Sequence, residues 1–121
     1  MKYALLIYAA PSAREYAAPA RDVIDDWGAY ARAVQDAGVL LAAEQLTFTD
    51  TATSVRVRGE DRLLTDGPFM ETKEHLLGFF LLDVPDLDTA LDWAARMPSA
   101  THGTIEVRAA RSGGAWQAVL D

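Results

Sequence analysis

The chain has 121 residues, half of them apolar, with 18 acidic against 11 basic side chains and a formal net charge of −7. That length predicts a single domain, 1–121, with a hydrophobic core of its own. The charge disfavours phosphate backbones and anionic lipid, so neither nucleic acid nor a membrane is an expected partner. The absence of cysteine excludes disulfides, thiolate metal sites and thiol catalysis.

Tyr3 to Ala10 is a continuous apolar run and predicts a strand buried on both faces. The run is too short for a secretion signal and Pro11 ends it, so the expectation is a soluble, cytoplasmic protein. Pro11 to Pro19 reads as a loop. Val23, Ile24, Trp27, Tyr30, Ala31 and Val34 then recur at steps of three and four, which predicts an amphipathic helix over 20–37. Gly38 is its expected stop, and Asp22, Asp25 and Asp26 sit where the helix dipole favours negative charge. Val39 to Leu46, Ala52 to Val57 and Arg62 to Thr65 are strand candidates, the last two joined by a turn at Gly59-Glu60-Asp61. Leu76 to Val84 is the most apolar strand. Asp86 is the expected N-cap of a second helix, which Pro98 ends, and Ile105 to Ala109 is the last strand.

The predicted order is β-α-β-β-β-β-α-β. With the added hairpin removed, it is the split β-α-β arrangement of an α+β, ferredoxin-like antiparallel sheet with two helices on one face. The first and fifth strands are nonetheless apolar on both sides: Leu6 and Tyr8 oppose Leu5 and Ile7, and Leu77, Phe79 and Leu81 oppose Leu76, Phe80 and Leu82. Each such side chain gains about 1.5–3 kcal/mol from burial. The second face therefore needs a cover, and the same face of a second copy supplies one through a closed two-fold contact. The expectation is a homodimer, a dimeric α+β barrel. The alternative is that the hairpin and the tail fold across the face.

Asp66-Gly67-Pro68-Phe69-Met70-Glu71-Thr72-Lys73-Glu74 is the most unusual segment. Asp-Gly-Pro forces a change of direction, Phe69 supplies an apolar anchor, and charge crowds beside it. This segment resembles the signature of the YCII-related proteins, in particular the subgroup named for Asp-Gly-Pro-Phe. The closing stretch Pro98 to Arg108, with its His-Gly and Glu-Val-Arg, is similar to the end of the same family. Tyr8 and Glu44 also match its usual residues. His75, Leu77 and Ala109 depart from a pattern that commonly has Gln, Gly and Pro there.

In the wider superfamily a His–Asp pair is the proposed acid–base centre, so the resemblance implies that role for Asp66, which otherwise reads as a turn residue. His102 is the natural proton carrier near neutrality, or else a loop histidine bonded to a backbone carbonyl. Glu71, Lys73 and His75 share one parity. An early strand start would line them up with Leu77 and Phe79 as a pocket rim, the alternative being a solvated strand end. Glu106 and Arg108 alternate with Ile105 and Val107, which sends them to the face away from the helices, where a buried ion pair would set dimer register or hold a ligand. Tyr8 and Glu44 would line the same cavity.

The chain has no phosphate loop and no nucleophile elbow. Two histidines without cysteine argue against zinc, so no metal and no cofactor is expected. The residues leave two functions open. One is an enzyme of small-molecule lyase or isomerase chemistry at the dimer interface. Asp66, Glu71 or His102 would move protons there, and Tyr8, Glu44, Phe69, Lys73, His75, Glu106 and Arg108 would hold a polar or aromatic ligand. The other is a non-catalytic binding or regulatory module. The resemblance implies this second reading, because such proteins are often associated with extracytoplasmic-function sigma factors.

Overall fold

A computed structural model describes residues 1–13 and 19–120. Its elements are β1 (Lys2–Ala9), α1 (Arg21–Asp36), β2 (Leu40–Gln45), β3 (Thr53–Arg58), β4 (Asp61–Asp66), β5 (His75–Asp83), α2 (Leu87–Ala95), β6 (Thr104–Ala109) and a single helical turn α3 (Gln117–Leu120). The order through β6 is the one that the hydrophobic pattern predicts, and α3 is an addition to it. Most of the loop expected over Pro11 to Pro19 lies outside the described residues. The molecule is a mixed α+β structure with an antiparallel four-stranded sheet in the order β2-β5-β1-β6. β3 and β4 form a separate antiparallel pair.

Alternation along β1 decides which face of the sheet is the core. Tyr3, Leu5, Ile7 and Ala9 are buried, whereas Ala4, Leu6 and Tyr8 are only partly covered. The buried set packs with Tyr30 and Val34 of α1, Ala90 and Ala94 of α2, and Phe80 and Leu82 of β5. Tyr30 is the hub. Its ring meets Trp27, Phe80 and Trp93 edge-on, and its hydroxyl donates to the carbonyl of Trp93 at 2.9 Å, tying α1 to α2.

The helix ends follow their sequences. The Asp86 carboxylate accepts from the Thr89 backbone N–H at 2.8 Å and from the Thr89 hydroxyl at 2.7 Å, so α2 is capped as expected. Gly38, at φ +76°, closes α1 by donating to the carbonyl of Gln35.

Two local features alter the predicted faces. β5 begins at His75, so Glu71 and Lys73 lie in the preceding loop and cannot share a strand face with it. A register shift between β1 and β5 then sets Ile7 opposite Gly78 and Tyr8 opposite Leu76, leaving Leu77 as the extra residue of a bulge. Leu77 joins the buried core with Ile7, and Leu76 takes the place beside Tyr8 that strict alternation gives to Leu77. Strand parity carried through a bulge reverses, and for that reason His75, paired with the core-facing Ala9, does not continue the line of Phe79 and Leu81.

Candidate functional site

The face of the sheet opposite the helices carries the candidate site. Strand register fixes what stands there. One row runs Glu44, Phe79, Leu6, Glu106 across the four strands. A second runs Ala42, Leu81, Ala4, Arg108, and a third places Leu76, Tyr8 and Thr104 side by side. The centre is apolar, from Leu6, Leu76, Phe79 and Leu81, and the polar groups stand on the outer strands β2 and β6. Glu106 and Arg108 thus occupy the face that alternation assigns them. Ile105 and Val107 turn toward the core.

One end of the sheet gathers polar side chains, on this face and around its edge. Tyr8 closes the third row. Thr104 beside it donates to Glu74 Oε1 at 2.7 Å, which binds the loop before β5 to the start of β6. Glu74 is itself set by the Thr72 hydroxyl, which donates to its backbone carbonyl. His75 Nδ1 lies 2.7 Å from Thr49 Oγ1, in the short turn Thr49–Thr51 after β2. His102 stands exposed just before β6, and its backbone N–H donates to the carbonyl of Ser99 at 3.2 Å. The following residue is glycine for a steric reason: a Cβ on Gly103 would run into the Tyr8 carbonyl oxygen and sit 3.3 Å from Ala9 Cβ. The His-Gly pair therefore seats the loop directly against the end of β1.

The Asp-Gly-Pro-Phe segment is placed differently. Asp66 is the last residue of β4, exposed and paired with Thr53 across the hairpin. Gly67, at φ +93°, makes the turn, donates its N–H to the Ala52 carbonyl at 2.7 Å and accepts from the Ser54 hydroxyl at 3.1 Å. Phe69 is exposed, with the Arg56 guanidinium 4.9 Å above its ring. Glu71 and Lys73 are exposed in the loop that follows.

Tyr8, His75 and His102 therefore lie at the same end of the sheet, Tyr8 on the open face and His75 at the register position of the core-facing Ala9. Glu44 and Glu106 flank the middle of the open face, and Asp66 and Phe69 belong to the hairpin and its turn. Glu74, Thr104 and Thr49 complete the end cluster and were not singled out from sequence. Glu74 lies within the unusual segment and Thr104 within the closing one, but a bond between residues far apart in the chain leaves no periodic trace. Among the described residues, no group of three or more His, Cys, Asp or Glu is arranged to hold a metal ion. No helix there is long and apolar enough to cross a membrane.

Comparison with known proteins agrees with the whole-chain resemblance. The YCII-related domain matches residues 1–112. An uncharacterised protein of Rhizobium meliloti (strain 1021) is 38% identical over 112 residues, covering 89% of this chain and 90% of that protein. The chain therefore belongs to the YCII-related family.

Proposed function

We propose that this chain is a member of the Asp-Gly-Pro-Phe subgroup that works as a homodimer, its ferredoxin-like sheets packed face to face as a dimeric α+β barrel with a small-molecule site between them. The observation that carries this reading is surface area. The chain exposes 8573 Å², whereas a compact monomer of 13.2 kDa exposes about 6,400 Å². The excess of roughly 2,000 Å² exceeds the about 800 Å² per partner that a standard interface covers.

The exposed apolar side chains point the same way. Val55, Val57 and Leu64 share one face of the hairpin and are all exposed, as are Trp116, Val119 and Leu120 of the tail. An isolated two-stranded hairpin is marginal in water and gains its stability from a surface to pack on. Hairpin and tail thus do not shield the open face of their own sheet. A two-fold mate gives all three surfaces a partner at once.

Between two such faces the apolar centre would form the floor of a cavity, and Tyr8, Glu44, Glu106 and Arg108 its polar contacts. His75, which pairs with the core-facing Ala9, would stand at the cavity's end rather than on its floor. Carboxylates outnumber cations there, which favours a polar or aromatic ligand that donates hydrogen bonds. Proton transfer falls to His102, with Asp66 of the hairpin and Glu71 of the loop before β5 as the carboxylates that the assembled dimer would have to bring to it. Lyase or isomerase chemistry is the class that such groups support without a cofactor.

The test is a fragment-binding titration on the assembled protein, repeated on Phe79→Asp. That change puts a carboxylate between Leu6 and Glu44 and should separate the copies while leaving the helix-side core intact. Fragments that shift the amides of Leu6, Phe79 and Glu106 in the dimer should lose binding in the variant. Undiminished binding by a monomeric variant would contradict a site between the sheets.

A further inference from the structure

A second cavity, of about 410 Å³, lies on the other side of the sheet, between α1 and the β2 edge. Val23, Trp27 and Gly28 of α1 wall it on one side, and Ala43 and Gln45 of β2 with Phe80 of β5 on the other. It has the size and the apolar lining of a small-molecule pocket. Trp27 and Phe80 stack within it, ring centroids 6.2 Å apart and planes inclined by 24°, so part of its wall is aromatic.

Gly28 is the informative residue. It sits inside α1, where glycine weakens a helix relative to alanine. Among the described residues no packing contact requires it, because a Cβ there would meet no atom within 4 Å. Gly78 on the opposite wall is different: a Cβ there would come within 2.5 Å of the Glu44 carbonyl, so strand spacing alone accounts for it. Gly28, exposed at the mouth of the cleft, therefore leaves that wall open at the cost of helix stability. Among the described residues the lining contains no Lys or Arg. Gln45 has the strand parity of this face, and Glu44, whose side chain stands on the other face, brings its backbone carbonyl to the Gly78 wall. Among the described residues an anion finds no cation there, whereas a hydroxyl or amino group has the Gln45 amide oxygen as an acceptor.

We propose that the cleft between α1 and β2 is a binding site for a planar aromatic molecule bearing one hydrogen-bond donor, a phenol or an aromatic amine. The site is complete within one chain and does not depend on the two-fold assembly.

The experiment titrates 2-naphthol into the ¹⁵N-labelled full chain, with naphthalene-2-sulfonate as the anionic counterpart of the same ring. Saturable shifts are expected at the amides of Gly28, Ala43, Gln45 and Gly78, with the sulfonate binding at least tenfold more weakly. Gly28→Leu places a helix-favouring side chain in the open space and should weaken 2-naphthol at least tenfold with the remaining spectrum intact. Phe79→Asp should leave binding unchanged. Shifts centred on Leu6, Phe79 and Glu106, equal affinity for the sulfonate, or a Gly28→Leu variant that binds as tightly would each overturn the proposal.

Discussion

Gly103 shows how a single missing side chain holds a loop and a strand together. Its backbone N–H donates to the Ser99 carbonyl at 2.7 Å while its Cα faces the end of β1. Gly103→Ala should push the His102 loop off Tyr8 and destabilise the fold by about 1–3 kcal/mol, the usual cost of overpacking. Chemical denaturation measures the loss, and an unchanged midpoint would contradict the contact. Tyr30 offers a second test. Removing its hydroxyl in Tyr30→Phe deprives the Trp93 carbonyl of a donor and should cost about 1 kcal/mol at neutral pH.

Burial holds the Tyr30 phenol neutral well above its ordinary pKa of 10.0, outweighing the opposing pull of Arg96. The folded value is raised, so the associated stability is fully present below pH 10 and is lost as pH climbs beyond it. The deficit of Tyr30→Phe should accordingly shrink in alkaline solution. A deficit constant from pH 7 to pH 11 would show that the phenol does not titrate as a buried group.

At the scale of elements, α2 depends on its N-cap residue, Asp86. Hydrogen bonds from the Thr89 hydroxyl and the Thr89 N–H hold the Asp86 carboxyl below its ordinary value of 3.8. The shift is downward, so the contribution is present above that value and vanishes as pH falls through the folded one. Asp86→Ala should lower the melting temperature at pH 7 and make little difference in strong acid. Thermal melts across that range check the sign.

The elements themselves were legible from sequence because helix and strand periodicity are local: steps of three and four located α1, and the Pro98 stop located the end of α2. The bulge at Leu77 was not legible. It depends on how β5 meets β1, and a residue inserted on one strand leaves no mark in its own alternation. The grouping of Glu71, Lys73 and His75 assumed an early strand start, and β5 begins only at His75, whose parity the bulge then reverses. The links of Thr49 to His75 and of Thr104 to Glu74 escaped because they join segments that only the folded sheet brings together. The expected orientation of Glu106 and Arg108 agrees with the strand register, since β6 pairs with β1 without a shift.

For the whole molecule, one asymmetry governs the account. The helices cover one face of the sheet, and Leu6, Leu76, Phe79 and Leu81 stand on the other, beside a hairpin and a tail whose apolar side chains have solvent around them. Exposed patches of that extent mark interaction surfaces in soluble proteins. Sedimentation equilibrium at micromolar concentration tests the conclusion most directly. The account predicts twice the chain mass of 13.2 kDa for the native protein, falling to the single-chain mass for Phe79→Asp. A native protein that sediments at the mass of one chain would contradict it.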